Sequence, residues 1–153
     1  MQNCQRAKNE GPEEIISGKN RKGFLPFIGD RIMKKKILVV EDEESLRLLY
    51  EEELTAEGYE VLTAGNGKEA ILQLQEGKPD LVILDIVMPV MDGIETLGRI
   101  LGKGRKIPII LHTSYPGYRE DLMSWAADAY ITKSSDLKEL KNKVRELLEK
   151  KKD

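Results

Sequence analysis

Five polar side chains stand where apolar runs of this sequence end. Glu41 and Asp42 follow KILVV (36–40), Asp85 follows LVIL (81–84), Thr113 lies just past IPIIL (107–111), and Lys133 follows AYIT (129–132). Carboxylates held within a few ångströms of one another repel, and their pKa values rise unless a cation joins them. A hard divalent ion meets that need: Mg2+ takes one or two carboxylates, keeps waters and accepts phosphate oxygens. With Mg2+, an ammonium from Lys133 and a hydroxyl from Thr113 can neutralise and hydrogen-bond the three oxygens of a phosphoryl group. One carboxylate must then be the acceptor, and an aspartate nucleophile that forms an acyl phosphate is a known covalent strategy. Asp85, at the end of the central run, is the expected acceptor.

These groups act together only if the chain brings the ends of separate strands to one edge. The five apolar runs, including YEVLTA (59–64), alternate with longer amphipathic stretches, which predicts five strands and five helices. Leu46, Leu49 and Leu54 are placed on one helical face before Gly58, read as the stop just past that helix; Ala70, Ile71 and Leu74 precede Gly77. In the last segment Leu137, Leu140, Val144, Leu147 and Leu148 point inward, with Asp136 and Glu139 at capping-box spacing. Strict alternation of strand and helix predicts an α/β fold with a parallel sheet covered on both faces, because parallel neighbours need a crossover of about a dozen residues or more. Ligands of such open sheets bind beyond the carboxyl ends of the strands. That is where the five polar residues arrive.

With 153 residues the chain has the length of about one domain. Aromatic residues are only 5% of it, so the core is expected to be aliphatic. The net charge of −2 gives no reason to expect binding to nucleic acid or an anionic membrane. It hides an asymmetry: residues 1–36 hold 9 Lys+Arg against 4 Asp+Glu, leaving 16 against 23, or −7, for residues 37–153. Cys4 is the only cysteine, which fits a reducing compartment. No apolar run approaches the roughly 20 residues of a membrane helix, and FLPFI (24–28) is too short for a signal peptide. A cytoplasmic protein is expected. Residues 1–33 show no sustained period and are read as a disordered tail, or as an artefact of start-site choice, since Met33 opens MKKKILVVEDEE.

The acidic pair ED (41–42), LDIVMPVMDG (84–93), HTS (112–114) and AYITK (129–133) together resemble the response-regulator receiver domain of bacterial two-component signalling, over roughly residues 35–150. The resemblance implies a flavodoxin-like (βα)5 three-layer sandwich with strand order 2-1-3-4-5, and a receiver domain over residues 34–153. It also implies roles: Asp85 as phospho-acceptor, Asp42 as direct Mg2+ ligand, the Val87 carbonyl as another ligand, and Glu41 as an acid that reaches the metal through water. Thr113 is similar to the switch hydroxyl, Lys133 to the phosphate-pairing lysine and Tyr130 to the aromatic whose rotamer reports activation. Mn2+ is expected to substitute for Mg2+. The implied partners are a histidine kinase or phosphotransfer protein and a downstream protein target, without nucleic acid or membrane insertion. The chain would catalyse only its own phosphorylation and dephosphorylation, so it is not expected to be an enzyme in the usual sense.

Some positions depart from the family pattern. Glu41 is longer than the common aspartate, and Ser134 stands where proline often follows the lysine. Val87 and Tyr115 occupy positions that tune hydrolysis in the family; neither activates water, so a long-lived phosphoform is expected. Only KKKD follows the last helical pattern, which reads as a stand-alone receiver. Plainer readings stand beside these. An acid at a strand end is ordinarily a solvated loop residue, His112 a packed strand residue, and Trp125 and Met123 helix-packing residues. Pro89, Met91, Asp92 and Gly93 read first as a loop with an Asp-Gly turn. Three other classes share parts of this pattern: a pseudo-receiver that binds partners without phosphorylation, an aspartyl phosphatase, and a flavodoxin-like electron carrier. The phosphatase usually needs a second acid where Val87 stands, and the electron carrier a phosphate-binding loop where EDEES (41–45) stands.

Overall fold

The structure, a computed structural model, describes residues 27–28, 31–32, 34–88, 91–102, 104, 106–114 and 127–151. The chain divides into two compact units, residues 1–34 and 35–153. In the first, Phe27–Ile28 and Arg31–Ile32 pair as two short antiparallel strands. The remainder of the stretch read as a tail lies outside the described residues.

The second unit runs β1 (Lys36–Val40), α1 (Glu44–Ala56), β2 (Glu60–Ala64), α2 (Gly67–Gly77), β3 (Leu81–Leu84), α3 (Gly93–Gly102), β4 (Ile109–Thr113), β5 (Ala129–Thr132) and α4 (Lys138–Lys151). The five strands are all parallel, in the order β2-β1-β3-β4-β5. This is the expected flavodoxin-like arrangement. The last helix of the sequence reading is α4; the helix expected between Thr113 and β5 falls in residues 115–126, outside the described residues.

β1, β3 and β4 are buried along nearly their whole length because helices cover both sheet faces, so alternate residues of each strand feed two cores. Leu38, Val40, Val82, Leu84 and Leu111 pack with α2 and α3; Ile37, Val39, Leu81, Ile83 and Ile110 pack with α1 and α4. A layer of helices on either side of the sheet makes the three-layer sandwich.

Several local expectations are corrected. β4 begins at Ile109 rather than Ile107, because Pro108 has no N–H to give the ladder and contributes only its carbonyl, to Val82 N–H at 3.0 Å. The inner stripe of α1 is Tyr50 and Leu54, while Leu49 is 40% exposed: spacing of four, not three, faces the sheet here. Gly58 does follow α1 in the left-handed region (φ +101), but α2 ends on left-handed Lys78 (φ 49), one residue past Gly77. The capping box at α4 is not formed. The Asp136 N–H donates to Ser134 Oγ at 3.1 Å, and its own carboxylate accepts from Lys138 N–H at 2.9 Å. Asp92 is likewise a helix cap rather than a turn residue, since Oδ1 accepts from Glu95 N–H at 2.9 Å.

Candidate functional site

Because all five strands run the same way, their carboxyl ends share one edge. Main-chain hydrogen bonding continues past the strands there: Glu41 N–H donates to Ala64 O (3.0 Å), Asp85 N–H to Val40 O (3.1 Å) and Lys133 N–H to Thr113 O (2.8 Å). The backbones of three candidate residues are thereby fixed by neighbouring strands. After Asp85 the chain turns back sharply, with Gly93 N–H on Ile86 O at 2.7 Å. A side chain at Gly93 has no room: its Cβ would lie 2.1 Å from the Asp85 carbonyl oxygen and 2.5 Å from Ile86 Cα.

At the edge, Lys133 Nζ donates to Glu41 Oε1 at 2.7 Å and to Asp85 Oδ2 at 3.2 Å. Both acids are buried, Glu41 at 2% and Asp85 at 5% exposure. The second Glu41 oxygen accepts from Glu43 N–H at 3.2 Å. One carboxylate oxygen from each of Glu41, Asp42 and Asp85 lies within 4.8 Å of the others, with Asp42 exposed to solvent.

Burial pushes the Asp85 carboxyl above its ordinary range, against the lowering effect of Lys133. Burial raises Glu41 too, opposed by its hydrogen bond from Lys133 and reinforced by the Asp85 charge. Lys133 is itself raised: burial works against its charge, but the two carboxylates outweigh that cost. Two buried acids and a third nearby thus share one ammonium. Such a set of hard oxygen donors, short of positive charge, fits a divalent cation of the Mg2+ type.

Of the expected site residues, Glu41, Asp42, Asp85 and Lys133 are brought together. Thr113 is fully buried at the carboxyl end of β4, opposite Thr132. Val87 is 45% exposed two residues past Asp85. Tyr130 is buried in the core between the sheet, α2 and α3, paired with Leu111. Pro89, Tyr115, Met123 and Trp125 lie outside the described residues.

One feature was not foreseen, and a second, His112, is the packed strand residue expected from the sequence. Arg47 reaches back from α1 to donate to the Glu41 carbonyl at 2.7 Å and, at a longer 3.5 Å, to that of Asp42. His112 is buried edge-on against Tyr50, with ring centroids 5.1 Å apart, and its pKa is lowered to about 4 by burial and then by the Lys133 charge. An arginine among helical charges reads as solvated, so the sequence held no signal for the first.

A model of the response regulator receiver domain family matches residues 37–145. Among curated proteins the chain is 41% identical over 117 residues to the probable transcriptional regulator ycf27 of Pyropia yezoensis, a match covering 75% of this chain and 48% of that protein. It is 36% identical over 118 residues to the alkaline phosphatase synthesis transcriptional regulatory protein PhoP of Bacillus subtilis (strain 168), covering 76% and 49%. The chain spans about half the length of these curated relatives. Among solved structures, the response regulator protein TrrA of Thermotoga maritima, in complex with Mg2+-BeF, is 53% identical with a TM-score of 0.70, covering 74% of this chain and 98% of that one. A CheY-like receiver domain protein of Methanospirillum hungatei JF-1 is 28% identical with a TM-score of 0.73, covering 78% and 98%. Sheet order, acidic edge and family match agree, and the chain belongs to the response regulator receiver domain family.

Proposed function

We propose that this receiver accepts a phosphoryl group on Asp85 and switches a partner-binding surface in response. One observation carries the reading: Lys133 Nζ lies within hydrogen-bonding distance of both Asp85 and Glu41, two buried acids from different strand ends, with Asp42 beside them. A purely structural ion pair has no need of a third carboxylate and a surplus of negative charge.

An Asp85 carboxylate oxygen attacks the phosphorus of a phosphohistidine in line. The O–P bond forms as the P–N bond breaks, and the imidazole leaves with its electron pair. Lys133 places an ammonium where charge gathers on the phosphoryl oxygens, and burial keeps water from weakening that interaction. Asp42, Asp85, the Val87 carbonyl and, through water, Glu41 would hold the divalent cation. When bound, Mg2+ (or Mn2+) supplies the positive charge that the three acids lack. The product carries roughly −1.5 to −2 in charge, and Thr113 is the hydroxyl assigned to turn toward it, with Tyr130 following. Moving such a two-state equilibrium from mostly off to mostly on takes about 5.5 kcal/mol. A few charge-assisted hydrogen bonds of about 1.5–3 kcal/mol each supply it.

The phosphoryl donor is a histidine kinase or a phosphotransfer protein: TrrA, at 53% identity, has been solved in complex with the histidine kinase ThkA. The output is a protein contact, and the acidic balance of residues 37–153 favours a protein over DNA as what this unit itself touches. A cytoplasmic location accords with this reading; among the described residues no helix is long and apolar enough to cross a membrane.

The test is incubation with acetyl phosphate and Mg2+, followed by intact mass. Wild type and Asp92→Ala should each gain one phosphoryl group, and Asp85→Ala none. Uptake by Asp85→Ala, or none by wild type, overturns the reading in favour of a receiver that binds partners without phosphorylation.

A further inference from the structure

Arg47 lies on the first turns of α1 and its guanidinium turns back over the acid-bearing loop instead of out to solvent. Nη1 donates to the carbonyl of Glu41 at 2.7 Å and reaches that of Asp42 at 3.5 Å. These carbonyls belong to the two residues where the chain leaves β1 and enters α1, a stretch outside both elements. The same guanidinium lies against Gly65, in the next loop along the edge. A Cβ there would stand 3.3 Å from Arg47 Nη1 and 3.8 Å from Cζ. Gly65 does not have a left-handed φ, so its backbone is open to any residue; what the glycine provides is space for the arginine. Gly65 is itself anchored, its N–H donating to Glu69 Oε1 at 2.7 Å.

We propose that Arg47 is a positioning residue for the divalent-cation site. It ties the Glu41 and Asp42 main chain against the β2–α2 loop, and so sets where the exposed Asp42 carboxylate is presented relative to Asp85. This rests on the reading of Glu41, Asp42 and Asp85 as the cation site. A lysine reproduces it only in part: Nη1 alone meets both carbonyls, which an ammonium can imitate, but lysine lacks the flat guanidinium that lies against Gly65. The distinction from a mere neighbouring charge lies in the sign. A guanidinium this close to a cation site repels the cation, so a purely electrostatic Arg47 would bind ions better once neutralised. A positioning Arg47 does the opposite.

Mn2+ affinity of the whole chain, followed by the electron paramagnetic resonance signal of free Mn2+ well below the melting transition, separates the two. Arg47→Met and Arg47→Gln should each weaken Mn2+ binding by roughly tenfold, the scale of lost outer-shell support, and Arg47→Lys should fall between them and wild type. Affinity equal to or tighter than wild type in Arg47→Met, whatever its melting temperature, overturns the proposal. Asp42→Asn is the control. If it loses Mn2+ binding while Arg47→Met retains it, only the role of Arg47 falls. If Asp42→Asn binds as tightly as wild type, the cation-site reading falls and the proposal with it.

Discussion

The Glu41 carboxylate lies 2.7 Å from the Lys133 ammonium, closer than the 3.2 Å between Lys133 and Asp85. The extra methylene of glutamate over aspartate lets an acid at the end of β1 reach an ammonium that follows β5. In this state Lys133 is bound at least as firmly to Glu41 as to the proposed acceptor. With Glu43 N–H on its other oxygen, Glu41 has a protein partner at both.

Removal of Lys133 should therefore be costly. Lys133→Met leaves two buried carboxylates with no counterion among the described residues, and breaking a buried pair from one side costs about 3 kcal/mol. The loss should be largest at neutral pH and shrink on acidification, because protonated acids need no partner. Urea denaturation at two pH values measures both the loss and its trend; a pH-independent loss would mean that only packing was removed.

Asp85→Asn should act in the opposite direction when no divalent ion is present. The folded-state pKa of Asp85 is raised above its ordinary 3.8 by burial. Between the unfolded and folded values the folded chain binds more protons, so stability falls as pH rises through that window. Above it the full penalty is present, and the amide removes it. Asp85→Asn should melt higher than wild type at neutral pH, by about 2–4 °C for each kcal/mol recovered. Adding Mg2+ should narrow the gap, since a ligand at 100 times its dissociation constant stabilises the binding-competent form by about 2.7 kcal/mol.

How much of this was legible follows from which forces acted locally. KILVV and LVIL announce strands because burial on both faces removes the polar half of the alternation, and their boundaries match the sequence reading to the residue. Asp85 and Lys133 were legible because each interrupts such a run at its end. Helix faces were less so: Leu49 and Tyr50 both fit an apolar stripe, and only packing against Leu54 and the sheet selected Tyr50. Lys78 ends α2 one residue past Gly77, and Asp92 caps α3 where an Asp-Gly turn was expected, because capping depends on where the helix stops against the sheet. Arg47 was invisible, since its partners are main-chain carbonyls of a loop whose shape no side-chain pattern encodes.

His112 should make the protein sensitive to acid. Its folded-state pKa of about 4 lies below the ordinary 6.5, because burial, and then the Lys133 charge, disfavour the imidazolium. Between those values the unfolded chain binds the extra proton, so stability is fully present above pH 6.5 and is lost as pH falls toward 4. The whole loss is about 3 kcal/mol at 1.36 kcal/mol per unit. As the only histidine, it gives one imidazole signal in a proton NMR titration. That signal should hold still down to about pH 5 and then shift with a midpoint near 4. A midpoint near the ordinary value would place the ring in water, contrary to its contact with Tyr50.

Two glycines of α3 should respond in opposite senses to the same substitution. At Gly93 a methyl group would meet main-chain atoms, the Asp85 carbonyl oxygen at 2.1 Å and Ile86 Cα at 2.5 Å, neither of which can swing aside as a side chain would. The β3–α3 loop must shift, and with it the backbone that aims Asp85. Gly93→Ala should lose about 3 kcal/mol and slow phosphoryl uptake from acetyl phosphate. At Gly98, exposed on the same helix, nothing among the described residues lies within 4 Å of the added carbon. Gly98→Ala should gain about 0.5–1 kcal/mol from helix propensity alone with uptake unchanged. Thermal melts and intact mass on the two variants side by side test this contrast. Equal behaviour of the pair would show that the tight turn after Asp85 is not what holds the acceptor in place.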